Sequence, residues 1–236
     1  MRGRIRFPGN PWPDGHPVAA FTLSAALDPR HGVGLLLHLE SADYDAEGPG
    51  QESEDEADWT AADVWTNYCS AILSNTYWGY LNAHLVRLDQ PPFRRFDPSA
   101  LTGQIFAFDP VDALPMDWSP ADQPFQIYLM GHDAVAEHRI AFSRGSAPGL
   151  FNIAWSGRIA LAYVGDNVFR HRFEAQISDV PFAGLELDTD PTVPAPRREA
   201  AAQALLKKFV ADPRAWRFVA GSSQADKDRF IPAARD

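Results

Sequence analysis

Residues 150–178 read LFNIAWSGRIALAYVGDNVFRHRFEAQIS and carry the plainest pattern in the chain. Leu150 to Trp155, Arg158 to Val164 and Val168 to Ser178 are rich in aliphatic and aromatic residues. Ser156-Gly157 and Gly165-Asp166-Asn167 separate them. That punctuation predicts a three-stranded meander. In the last run Phe169, His171, Phe173, Ala175 and Ile177 share one face, and Arg170, Arg172, Glu174 and Gln176 share the other. Alternation of this kind belongs to an antiparallel sheet with one face in water.

Working outward, the pattern repeats. Ala20 to Leu27 and Val33 to Leu39 flank the turn cluster Asp28-Pro29-Arg30-His31-Gly32 and predict a hairpin. Gln104 to Phe108, Phe125 to Met130 and Glu137 to Ser143 predict further strands, the last two joined through Gly131-His132-Asp133. Two stretches carry helical spacing instead. Thr60-x-x-Asp63 resembles a capping box, and Val64, Tyr68, Ile72 and Leu73 continue it, predicting a helix over 60–78 closed by Gly79. Leu205, Leu206, Phe209 and Val210 form the stripe of a second helix, 197–210, which Asp212-Pro213 stops. The expected fold class is therefore α+β: a largely antiparallel sheet of about eight or nine strands with these two main helices. One domain over 1–236 is expected, with a mobile acidic loop at 41–58 and a frayed C-terminal tail at 222–236. A split near Pro91-Pro92 is the alternative.

The charge is unevenly placed. The chain of 236 residues has 21 Lys+Arg and 31 Asp+Glu, for a net charge of -10. Between His31 and Val86 there is no Lys or Arg but there are ten acids: Glu40, Asp43, Asp45, Glu47, Glu52, Glu54, Asp55, Glu56, Asp58 and Asp63. The remaining 21 acids balance the 21 bases, so the excess belongs to this one window. An acidic balance argues against a general nucleic-acid binder, which needs a basic face. No apolar run is long enough to span a bilayer as a helix. With no secretion signal and a single cysteine, Cys69, the expected compartment is the cytoplasm. Only three of the 21 bases are Lys, a bias expected of a GC-rich bacterial genome.

The chemical motifs are few. There is no G-x-S-x-G elbow and no nucleotide-binding glycine loop, so no cofactor is expected. His132, Asp133, Glu137 and His138 crowd one predicted turn, with His171 on a nearby strand. Two imidazoles and a carboxylate are a possible acid–base or metal set, and this is the enzyme or small-molecule alternative. Asp43-x-Asp45-x-Glu47-Gly48, then Glu54, falls on the spacing of a calcium loop, which needs alternate oxygens and a final bidentate Glu. Over that dozen residues it resembles an EF-hand, but Glu at the fifth position, Gly50 at the eighth and a strand-like lead-in depart from it.

The preferred reading combines Glu52, Glu54, Asp55, Glu56 and Asp58 with the rings of Trp59, Trp65, Tyr77 and Trp78. Acids steer a basic partner, and Trp and Tyr supply rigid contact area. The expected function is a non-catalytic interaction protein of a bacterial cytosol that meets a basic protein partner, in the manner of acidic immunity proteins that neutralise toxins.

Overall fold

The computed structural model describes residues 2–10, 12–43, 70–76, 86–90, 93–129, 131–223 and 227–233. Among them run β1 (Arg2–Arg6), β2 (His16–Asp28), β3 (Gly32–Ser41), β4 (Ile72–Asn75), β5 (Ile105–Phe108), β6 (Phe125–Tyr128), β7 (His132–Arg144), β8 (Leu150–Ala160), β9 (His171–Leu187), α1 (Ala195–Phe209), β10 (Trp216–Val219) and β11 (Asp228–Pro232). The expected α+β class is corrected. Among the described residues the fold is a closed eight-stranded barrel, mostly sheet, with three extra strands and one α-helix.

Antiparallel pairings lead from β1 through β2, β3, β4, β6, β7 and β8 to β9, and β9 pairs back with β1. β1 is a wedge at this seam. Past its end, β2 meets β9 directly and in parallel, at Leu23–Phe182 and Ala25–Leu185. Closure leaves no unpaired edge around the wall. β5 lines the far half of β7, while β11 and β10 extend β9 beyond the barrel. α1 lies over that end through Ala202 and Leu206, which are buried in the main core.

A barrel of this size has an interior that side chains can fill. Here Trp155, Phe7, Phe125, Phe173, Ile5, Leu23, Leu35 and Leu37 fill it. The outer positions of β1 and β9 carry Arg2, Arg4, Arg6, Arg172 and Glu174, all exposed. On these two strands the pattern is the reverse of a membrane barrel's, whose outer belt is apolar and whose lumen is polar. No helix among the described residues is long and apolar enough to cross a membrane.

Three sequence expectations change in the folded chain. The helix over 60–78 is corrected where the residues are described: Ile72–Asn75 is strand β4, with Leu73 and Asn75 inward and buried. Pairing with β3 and β6 overrides the helical spacing. Ser70, Ala71 and Thr76 are not helical either, and residues 60–69, 77 and 78 of that helix lie outside the described residues. The meander collapses to two strands, because residues 150–160 run through Ser156-Gly157 without turning. Gly157 is there to admit Phe173: a Cβ on it would sit 2.7 Å from that ring. The frayed tail is corrected at Asp228–Pro232, which is β11. The second helix, expected over 197–210, occupies Ala195–Phe209.

Asn75 shows how the wall is kept whole where β4 ends. Its Oδ1 accepts from Leu37 N at 2.8 Å, and its Nδ2 donates to Leu35 O at 3.3 Å. One buried side chain thus replaces a missing length of ladder, as buried backbone groups require.

Candidate functional site

The polar groups of the barrel wall concentrate on β7, and a bulge decides where each one points. Register slips between Ala136 and Arg139, so β7 carries one residue more than β8 there. Such an insertion reverses inside and outside for all that follows. Val135 faces the core ahead of the bulge, and His138, Ile140 and Phe142 face it afterwards. The expected cluster is therefore not assembled. His132 is exposed at the start of the strand, while His138 is buried in the interior. His171 is half-buried two strands away, opposite Ile159 of β8. Burial holds its imidazole below the ordinary value.

The bulge is built by two residues with left-handed backbone, Glu137 at φ 54° and Asp109 at φ 46°. Glu137 N donates to Asp109 O at 2.8 Å, and His138 N donates to the Asp109 carboxylate at 3.0 Å. Asp109 thus stands in for the partner that the bulged backbone lacks. Sequence reading missed it, since Asp109 opens a proline-rich connection and nothing local ties it to a residue almost thirty positions on.

Inside, His138 sits among Phe108, Phe125, Trp155 and Phe173, with ring centroids 5.0–5.9 Å away. The Trp155 indole N–H donates to His138 Nδ1 at 3.0 Å. An accepting Nδ1 puts the ring's own hydrogen on Nε2. Nε2 faces Asp109 Oδ2 at 3.7 Å, and neither atom has a hydrogen-bond partner. Burial pushes His138 down to about 3. The indole acts in the same direction, because a proton on Nδ1 would confront the N–H of Trp155. Burial also pushes Asp109 up to about 8, against the hydrogen bond from His138 N and with Glu137 adding to the rise. At neutral pH both groups are uncharged, as a pair enclosed by aromatic rings must be. The Trp155–His138 hydrogen bond ties β8 to β7, and the bond from His138 N to Asp109 ties β7 to the start of the 109–124 connection.

A second group lies at the β6–β7 hairpin. Tyr128 and His132 pair across it with rings 5.3 Å apart. Tyr163 rests on Gly131, where a Cβ would fall 2.0 Å from its ring. Tyr128 and Tyr163 are 42% and 63% exposed, well above the burial usual for such rings. Beneath them Asp133 is buried, accepts from Tyr163 N at 3.0 Å, and is pushed by burial up to about 6.

The acidic window is anchored at this same barrel end. Ser41 N donates to Ala71 O at 2.9 Å, and Ala71 N donates to the Ser41 hydroxyl at 2.8 Å. Ile72 of β4 lies opposite Tyr128. The candidate contact residues Glu52, Glu54, Asp55, Glu56, Asp58, Trp59, Trp65, Tyr77 and Trp78 lie outside the described residues, as do Asp45 and Glu47 of the calcium spacing. Asp43 is described and exposed. Among the described residues no group of three or more His, Cys, Asp or Glu could hold a metal ion.

Comparison with protein-family models, with curated proteins and with solved structures finds no match. The chemistry of the side chains is therefore the ground for a functional reading.

Away from the barrel, Arg198 of α1 meets Asp228 of β11 in a two-pronged ion pair, at 2.9 and 3.1 Å. Its other hydrogens go to the carbonyls of Pro191, Val193 and Gly221, and Asp228 also accepts from Thr189 and Gly221. Every group in this buried network is used. It fastens the helix to the last strands and leaves nothing free to meet a ligand.

Proposed function

We propose that this chain is a non-catalytic interaction protein, in which the filled barrel is a rigid base and the acidic stretch between β3 and β4 meets a basic protein partner. The observation that carries the reading is the clasp between Ser41 and Ala71. Nine acids, Asp43 to Asp63, lie in the sequence between these two residues, which meet at one point of the wall. Charge gathered at one point steers an oppositely charged partner more strongly than the same charge spread out. The exposed Tyr128 and Tyr163 beside the clasp suit the centre of such a contact. The His138–Asp109 pair, enclosed by rings, suits a structural role. A bacterial cytosolic protein that neutralises a basic toxin would work in this way.

The test is affinity capture from a lysate of the source cell, with the wild type and a variant carrying Lys at Glu52, Glu54, Asp55, Glu56 and Asp58. A basic protein should be retained by the wild type and lost by the variant. Recovery of the same partners by both baits would sink the proposal.

A further inference from the structure

The outer wall formed by β7, β8, β9 and β1 has a charge opposite to that of the whole chain. Alternation places Arg2, Arg4 and Arg6 outward on β1, where Ile5 is buried. Arg172 and Glu174 point outward on β9, where Phe173 is buried. Register brings these positions together: Arg6 lies opposite Glu174, Arg4 opposite Gln176 and Arg2 opposite Ser178. On the other side of β9, Arg172 lies opposite Arg158, and Arg139 of β7 is opposite Ser156 of β8.

The result is six arginines against two acids, Glu174 and Glu137. Those acids take Arg6 and Arg158, each at 3.0 Å. Arg4 donates to the carbonyls of Asp14 and Gly15, which leaves its charge in place. Arg2, Arg139 and Arg172 are exposed and have no ion pair among the described residues. Like charges placed directly opposite, as at Arg158 and Arg172, are destabilising in a sheet. A folded wall that keeps them has a use for them.

We propose that this arginine face docks an extended acidic segment of a partner protein. Alternate residues on a strand are about 6.7 Å apart, and neighbouring strands are about 4.8 Å apart. Carboxylates at alternate positions of an extended peptide repeat at the same interval as Arg2, Arg4 and Arg6. Arginine forks pair with carboxylates two bonds at a time. Size and lining favour a peptide over a nucleic acid. The face is four strands wide, about 14 Å, so a short acidic segment fits within it. A longer polyanion would run on to the rest of the chain, where, outside the acidic window and this face, 19 acids outnumber 15 bases. The outer positions between the arginines are Ser156, Ala154, Gln176 and Ser178, with no ring on which a base could stack.

The test uses the full chain and a fluorescent five-residue peptide, Glu-Ser-Glu-Ser-Glu, about as long as β1, with a labelled thymidine strand of matched charge as the second probe. Arg2→Glu, Arg139→Glu and Arg172→Glu are combined in one variant, because these side chains hold no ion pair among the described residues. Near-ultraviolet circular dichroism confirms that it is folded. The wild type should bind the peptide, and the variant should bind it at least about tenfold more weakly. Raising salt from about 50 to 300 mM should weaken the wild-type complex by a similar factor. No peptide binding, equal binding by the variant, or tighter binding of the thymidine strand would each overturn the proposal.

Discussion

At the scale of single residues, the Trp155–His138 contact is the most consequential in the barrel. His138 has lost water entirely, and its Nδ1 has one partner, the indole N–H at 3.0 Å. A buried acceptor left without a donor costs about 1–3 kcal/mol. Trp155→Phe removes that donor while keeping an aromatic ring, so urea denaturation should show a loss of at least this size, enlarged by the smaller ring's poorer filling. Loss of less than about 0.5 kcal/mol would show that the hydrogen bond contributes nothing net. His138 was legible as a candidate because of its neighbours in sequence. Its true partners were not, since Trp155 and Asp109 reach it only through strand pairing.

At the scale of elements, the β7 bulge governs which residues face the core. Glu137 occupies the left-handed position that glycine adopts without steric cost. Its ion pair with Arg158 is exposed and worth little. Glu137→Gly should therefore leave thermal stability unchanged or raise it by up to about 1 kcal/mol. Deletion of Glu137 removes the extra residue, so that His138 follows Ala136 in plain alternation and His138, Ile140 and Phe142 still face inward; that chain should keep a cooperative melt. Loss of the cooperative melt would show that the barrel needs the bulge itself, with its two hydrogen bonds to Asp109. The same logic marks how far the sequence could be read. The β2–β3 hairpin and α1 were legible because alternation, turn residues and proline are local signals. The bulge at Glu137 was not, and so His132 and His138 looked like one cluster. Ser156-Gly157 carried a turn signal, but the glycine serves to admit the Phe173 ring. The helical spacing through Leu73 gave way to β4 because its pairing partners, His38–Glu40 of β3 and Phe125–Tyr128 of β6, are remote in the chain.

At the scale of the molecule, two buried groups give stability opposing pH slopes. His138 is lowered from 6.5 to about 3, so the unfolded chain binds a proton that the folded chain does not, and stability rises with pH between those values. Asp109 is raised from 3.8 to about 8, so the folded chain holds the extra proton and stability falls as pH rises through that window. Between 3.8 and 6.5 the two nearly cancel, with Asp133, raised to about 6, tilting the balance downward. Between 6.5 and 8 Asp109 acts without opposition from His138. One proton is worth about 1.4 kcal/mol per pH unit, so stability should drop by up to about 2 kcal/mol across that interval. Asp109→Asn keeps an acceptor for His138 N and should abolish the drop in urea melts run from pH 6.5 to 8. A drop of the same size in the variant would assign it to other groups.

We propose that the interior of the barrel, its histidine included, is structure and that recognition belongs to the charged exterior. Nuclear magnetic resonance of the His138 ring across pH examines that statement at its most exposed point. The ring should stay neutral, with its hydrogen on Nε2, from pH 8 down toward its depressed value of about 3. A midpoint near the ordinary 6.5 would mean that water and protons reach His138, and that the barrel holds an open acid–base site after all.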